Sequence, residues 1–273
     1  MGTQLVKESM ASFLSNEAVR SNVESGVGEK DAQRFISSVV SAVQTNPALA
    51  ECTNKSILSA ALLGHSLNLP QSPQLGFFYF VPYKGKNGTE AQFQLSYRGM
   101  LQLAMRSGQY KSIVVSDIKE GELKSYNPIT DVYEFEPETD IEKREKLKVV
   151  GYYAYFEMQN GFKKELYWSI EKMDNHAKKY SASYRKGWDS SLWKTDFDAM
   201  ARKTMLRQLV SKWGIMSVEM ERAYVSDQAV LDENGNPNYV DNVPDEPEKG
   251  VNPFEEPVGE ATEITEGEGN DTE

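Results

Sequence analysis

The sequence predicts an α+β protein: a helical core packed on a small antiparallel sheet, with a protruding β-hairpin and a disordered acidic C-terminal tail. Three observations predict it. Apolar residues recur at helical spacing over the stretches "DAQRFISSVVSAVQTNP", "TNKSILSAALLGHSLNLP" and "DFDAMARKTMLRQLVSKW". The period changes to two in "FFYFVPYKGKNGTEAQFQLSY" and again in "VVGYYAYFEMQNGFKKELYW". From Ser226 on, apolar spacing gives way to Pro, Gly, Asn and acids. Of the 273 residues 39% are hydrophobic, enough for one substantial core or two small ones. The expected organisation is a flexible segment over residues 1–29, a folded body over 30–225 and a tail over 226–273.

Charge separates the last two. The formal charge of −11 comes from 30 Lys or Arg against 41 Asp or Glu, and fifteen of those acids lie from Ser226 onward against Lys249 alone. Residues 1–225 therefore hold 29 basic and 26 acidic residues, and the body is mildly basic. Within Lys163–Lys212 twelve basic residues face six acidic ones, a candidate polyanion surface. No apolar run approaches the ~20 residues of a membrane span, and "MGTQLVKESM" lacks the pattern of a secretory signal. A single cysteine, Cys52, and two histidines, His65 and His176, give no metal-ligand spacing. The expectation is a cytoplasmic protein without metal or other cofactor.

The elements follow in order. The first helix places Phe35, Val39, Val40 and Val43 on one face and stops at Pro47; the second does the same with Ile57, Leu58, Ala61 and Leu62 and stops at Pro70. In the hairpin, Phe77, Tyr79, Val81 and Tyr83 alternate with Phe78, Phe80 and Lys84, and on the return Phe93, Leu95 and Tyr97 oppose Gln92, Gln94, Ser96 and Arg98. A short helix from about Arg98 to Ser107 is closed by Gly108. Then come a strand in "QYKSIVVSDIKEGEL", a charged loop in "ETDIEKREKLK", and two strands joined at Asn160-Gly161, a strong hairpin signal. Ser169 is expected to cap the helix "IEKMDNHAKKY", and Thr195 with Asp198 resembles a capping box for the last helix.

That last helix carries an anomaly. Phe197, Ala201, Met205, Leu206, Leu209, Val210 and Trp213 form a broad apolar stripe with Arg202 inside it, while Lys203 and Arg207 share the opposite side and are expected to reach outward. An unpaired buried guanidinium is costly, so Arg202 needs an internal acid, for which Asp174, Asp196 and Asp198 are the candidates, or an external anion. The segment "KKYSASYRKGWDSSLWK" interleaves cations with Tyr184, Trp188 and Trp193, the mixture that single-strand grooves use. Gln92, Gln94, Ser96 and Arg98 suit either a nucleic-acid backbone or plain solvation. Catalysis finds little support. "KGKNGTE" returns to a strand and so is not a Walker loop, there is no GxSxG or HExxH, and Asp196 and Asp198 point apart on a helix.

The segments "LNLPQSPQLGFFYFVPYKG", "AQFQLSYRGMLQLAMRSGQYKSI", "VVGYYAYFEMQNGF" and "WDSSLWKTDFDAMARKTMLRQLVSKWG" resemble, in order from about residue 30 to Met220, the RecT family of phage and prophage single-strand annealing proteins. The resemblance implies an ATP-independent recombinase of the bacterial cytoplasm rather than an enzyme. It would coat single-stranded DNA as a ring or filament, pair it with a complementary strand and hold the duplex, partnered by a phage exonuclease and the host single-strand binding protein. Residues 30–225 would then be the DNA-binding, annealing and oligomerisation domain, with Gly76–Tyr97 as a finger on DNA. Arg98, Arg106, Lys111, Lys203 and Arg207 would be the main backbone-contacting cations. Lys84 and Lys86 at the tip, Gln92, Gln94, Tyr97, Arg202 and Lys212 would complete the DNA-binding set. A protector that binds without pairing, and a metal-dependent nuclease using the loop acids, are the alternatives.

Overall fold

A computed structural model describes residues 8–72, 74–85, 88–189, 191–232 and 235–239. The N-terminal segment expected to be flexible is helical over its described part. Ser9 and Asn16 accept the N–H groups of Ser12 and Ala18 and so open α1 (Met10–Ser15) and α2 (Glu17–Val27), whose Met10, Leu14 and Val23 are buried. Three well-spaced apolar residues were enough to dock two short helices. They pack with α3 (Glu29–Thr45), a 3-10 turn at Pro47–Glu51 and α4 (Asn54–Ser66), which Thr53 caps.

The hairpin forms as read, from β1 (Phe78–Gly85) and β2 (Gly88–Leu95), in a register that pairs Phe80 with Phe93 and Tyr79 with Gln94. Phe78, Phe80, Ala91, Phe93 and Leu95 face the core, and Tyr79 faces solvent. Ser96 caps α5 (Tyr97–Arg106), and Gly108, at φ 68°, ends it. A second sheet has the order β3 (Tyr110–Lys119), β6 (Val149–Met158), β7 (Lys163–Ser169), antiparallel throughout, with Gly161 at φ 84° in the β6–β7 turn. Between β3 and β6 lies a hairpin that the sequence did not predict, β4 (Leu123–Asn127) with β5 (Val132–Phe135), on which Phe135 meets Tyr153 and Tyr167 edge-on and Tyr133 meets Tyr167 at a tilt. The charged stretch read as loop includes one helix, α6 (Ile141–Lys146), because the Asp140 carboxylate accepts the N–H groups of Glu142 and Lys143.

The chain continues through α7 (Ile170–Tyr180), capped by Ser169 as expected, then α8 (Ala182–Arg185), α9 (Leu192–Thr195), α10 (Phe197–Trp213) and α11 (Val218–Ser226). The cap of α10 is Asp196, which accepts the Ala199 N–H at 3.2 Å, whereas Asp198 receives the Tyr152 hydroxyl. The expected Thr195–Asp198 box is therefore not made, because the chain turns into the helix one residue later.

The tail also begins later than its composition suggested. Asp227 is buried, β8 (Ala229–Leu231) adds to β2 through Phe93 opposite Ala229, and β9 (Pro237–Tyr239) pairs with β8. Most of the acidic tail, 240–273, lies outside the described residues. Gln228 takes a left-handed φ of 67° to swing the chain from α11 into β8, and its N–H donates to the Phe93 carbonyl at 2.9 Å.

Two hydrophobic cores result, and α10 separates them. Leu206 and Val210 enter the core of α1–α5, β1, β2 and α11, while Ala201, Met205 and Leu209 enter the core of β6, β7 and α7. Among the described residues no helix is long and apolar enough to cross a membrane.

The second core contains a titratable group with a predictable signature. His176 lies 5.2 Å from Trp168 and 4.6 Å from Tyr180, and burial, followed by the charges of Arg207, Lys179 and Lys172, pushes its imidazole down to about 4. An unfolded histidine titrates near 6.5, so between these values the unfolded chain binds a proton that the folded chain refuses. Stability should fall as pH drops through that window, by up to about 3 kcal/mol from this group, and level off below it. Urea unfolding at pH 7 and pH 4.5 should show a smaller acid loss for His176→Phe than for the parent; equal losses would remove the assignment.

Candidate nucleic-acid interface

At about 100° per residue, α10 presents Leu206 and Val210 to one core and Ala201, Met205 and Leu209 to the other. One narrow seam and one wider one remain between these faces. Arg202 lies in one, Lys203 and Arg207 in the other. The apolar stripe is thus two faces rather than one, and this decides the fate of all three cations.

Arg202 finds an internal acid, but not one of those expected. Its Nη2 donates to Asp117 of β3 at 2.9 Å, and Asp117 also pairs with Lys119 at 3.2 Å and approaches Arg144 at 3.8 Å. Burial works to raise the Asp117 carboxyl, yet the hydrogen bonds from Lys119 and Arg202 outweigh it and hold the group below its ordinary value. The Arg202 side chain remains 42% exposed, although its Nε is buried without a hydrogen-bond partner. Neighbouring Tyr97 is half-buried, its phenol raised by burial against the opposing charge of Arg202.

Lys203 and Arg207 do not reach outward. The Lys203 ammonium sits 2.9 Å from Asp227, and Arg207 donates to the same carboxylate at 2.7 Å and to the Tyr224 carbonyl at 2.9 Å. The other carboxylate oxygen of Asp227 accepts the Leu95 N–H at 2.9 Å. The Asp227 side chain is fully buried. Burial depresses the Lys203 ammonium, against the pull of Asp227. The physical reason is position: Lys203 stands beside the Leu206–Val210 face and is buried there, with its ammonium on an acid. One carboxylate thereby joins α10, the end of β2 and the start of β8.

The other expected contacts divide. Arg98, in the first turn of α5, is exposed and has no ion pair among the described residues. Its backbone is fixed closely, because a Cβ on Gly99 would lie 2.1 Å from the Phe77 carbonyl oxygen and Ser96 Oγ both donates to Gly76 O and accepts from Gly99 N. Arg106 spends its guanidinium on the Asn68 and Leu67 carbonyls, at 2.8 and 2.5 Å, beyond the C-terminal end of α4. Lys111 pairs with Glu157 across β3 and β6 at 2.8 Å while staying 61% exposed. Lys84 is exposed near the hairpin tip; Lys86 lies outside the described residues. Gln92, expected on an open polar face, is buried, with its carbonyl taking the Gln94 amide at 3.3 Å. Lys212 is exposed, its ammonium 5.8 Å from the Trp213 ring centroid. The loop acids are occupied: Asp189 pairs with Lys194, Asp196 caps α10 and Asp198 holds Tyr152.

A family model described as the RecT family matches residues 33–241, from α3 to the end of the described chain. The chain belongs to the RecT family. Membership carries the coarse function, single-strand annealing in phage-type DNA recombination by a DNA-binding protein. Among relatives, an uncharacterized protein of Bacillus subtilis (strain 168), YqaK, is 43% identical over 218 residues, 80% of this chain and 72% of that protein. Protein RecT of Escherichia coli (strain K12) is 29% identical over 205 residues, 72% of this chain and 71% of that protein. The matched region contains the second core, most of the first and the residues of both α10 seams.

Removing Asp227 leaves two cations buried without their acid, so Asp227→Ala should cost roughly 3–5 kcal/mol of folding stability. Truncation after Ser226 should cost at least as much, because β8 is lost as well. Thermal unfolding checks both; an unchanged midpoint in either protein would show that the cluster holds nothing.

Proposed function

We propose that this RecT-family chain is an ATP-independent annealing protein that oligomerises on single-stranded DNA, pairs it with a complementary strand and holds the duplex, without making or breaking covalent bonds. The family match over 33–241 carries the reading. It also favours annealing over a protector that binds without pairing. The setting is the bacterial cytoplasm, and the partners fitting this activity are a phage exonuclease that exposes the strand and the host single-strand binding protein.

Annealing has a physical requirement. Phosphates must be neutralised while base edges stay free to test a partner, so the protein should hold the backbone with cations and amides. Repulsion between two polyanions is then offset by counterion release, which makes binding strongly salt-dependent. In this reading Arg98, Lys84, Lys111, Lys212 and the exposed part of Arg202 contact the backbone, with Lys86, Gln94 and Tyr97 beside them. Lys203, Arg207 and Gln92 act from beneath, fixing α10 and the hairpin on which the outer cations stand, while Arg106, itself exposed, ties α5 to the end of α4. The exposed groups can release a phosphate without unfolding anything; the buried ones cannot.

The acidic tail suits weak competition for the same cations. A deletion that tests this must start beyond Tyr239, since one starting at Asp227 also removes the buried carboxylate and β8.

Mixing complementary oligonucleotides without nucleotide cofactor separates the readings. The protein should speed pairing; slowed pairing would mean a protector, and Mg²⁺-dependent shortening a nuclease. Arg98→Ala and Lys84→Ala should each reduce the slope of log affinity against log salt by about 0.7 and leave thermal unfolding unchanged. Parental slopes in both variants would take these residues off the surface that binds DNA.

A further inference from the structure

We infer that α7, α8 and the turn after them form a second contact for single-stranded DNA, with Trp188 and Tyr180 stacking on bases and Lys172, Lys179 and Lys186 holding phosphates. The inference rests on the annealing reading and deepens it by adding a base-stacking platform away from the hairpin. Three rings here carry lysines: Lys172 lies 4.8 Å from the Trp168 centroid, Lys179 5.2 Å from Tyr180 and Lys186 5.5 Å from Trp188. Among the described residues none of these three lysines is paired with a carboxylate, whereas nearby Lys178 and Lys194 are held by Asp174 and Asp189. Asp174 and Asp189 are thus taken by other cations, and of the α7 acids only Glu171, exposed beside Lys172, is left near the ring-bearing lysines.

The rings differ in a way that points to a ligand. Trp168 and Trp193 are buried, 6% and 7% exposed, but Trp188 is 55% and Tyr180 41% exposed. An indole half in water forgoes much of the burial that usually retains a tryptophan. A flat ring beside an unpaired cation is what a base and its phosphate would occupy.

The platform is built rather than loose. Gly187, at φ 72°, reverses the chain so that the Trp188 N–H donates to the Ser183 carbonyl at 3.0 Å. Arg185 donates to the Lys178 and Lys179 carbonyls, both at 3.3 Å, tying α8 to the C-terminal end of α7. Beneath Tyr180 the His176 ring passes contact on to Trp168 and, at 6.4 Å, to Trp193. Tyr180 therefore stands on a packed aromatic base and Trp188 on a hydrogen-bonded turn, so little ordering is needed when a base stacks.

Intrinsic tryptophan fluorescence tests the assignment on the full chain, titrated with an oligo-dT strand and with an abasic strand of equal length. The parent should be quenched by oligo-dT and much less by the abasic strand, and Trp188→Phe should lose most of the quench. Trp188→Ala should weaken oligo-dT binding roughly 5- to 100-fold, and Lys179→Ala with Lys186→Ala should weaken both strands. If the parent anneals complementary strands while Trp188→Phe keeps the full quench and Trp188→Ala the full affinity, the platform is wrong and the annealing reading stands. If the parent neither binds nor anneals, both fall together.

Discussion

The structure depends on one constraint: α10 is buried on two sides, and every charge it carries between those sides must be matched by an acid from a distant part of the chain. Ala201, Met205 and Leu209 commit the helix to one core, Leu206 and Val210 to the other. Asp117 on β3 closes the seam at Arg202, and Asp227, just after α11, closes the seam at Lys203 and Arg207. Buried ion pairs add little net stability compared with apolar contacts of the same size, but losing one partner is expensive. Their effect here is selectivity of arrangement. Any rotation of α10 that kept its apolar residues covered but parted these pairs would strand two or three cations.

The same constraint sorts the basic residues into two populations. Some point inward and join elements: Lys203 and Arg207 through Asp227, and Arg144 through Glu122 at 2.6 Å. Others stand on the surface those joints create, among them Arg98, Lys84, the lysines of α7 and Lys186. A polyanion can recruit the second population without disturbing the first. A count of charges along the sequence merges the two, and for this reason the basic window Lys163–Lys212 overstates the charge available to a ligand.

How much of this could be read beforehand follows from the range of each interaction. Hairpin β1–β2, the turn at Asn160-Gly161, and the caps at Ser169 and Gly108 were legible because alternation, turn chemistry and capping act over a few residues. The seam partners were not: Arg202 and Asp117 are 85 residues apart, and Lys203 and Asp227 are 24 apart, with Asp227 hidden at the start of an acid-rich stretch. Periodicity records that a residue is apolar but not which of two cores receives it, so the two faces of α10 merged into one stripe. Short helices α1 and α2 escaped because Met10, Leu14 and Val23 are too few to form a pattern, and β4–β5 because its rings alternate with charges. Of the expected DNA-binding set, Arg98, Lys84 and Lys111 are exposed. Gln92, Lys203 and Arg207 moved inside for lack of any local signal of burial.

The hairpin rings sharpen the mechanistic argument. Phe78, Phe80 and Phe93 are interior, with Phe78 and Phe93 stacked at 5.0 Å, and only Tyr79 on the adjoining strands stands half in solvent. The finger is therefore braced by its aromatics, and its outer face offers amides, hydroxyls and cations. A surface of that kind restrains a phosphate chain while leaving base edges unread, which is what a pairing reaction requires of the strand it holds. In the proposed arrangement stacking, where a base must be steadied, falls instead to the rings of α7 and the turn after α8. Separating the two duties over two parts of the body lets a strand be gripped continuously and its bases sampled intermittently. A single aromatic groove that gripped both backbone and bases would hold the first strand too well to admit the second.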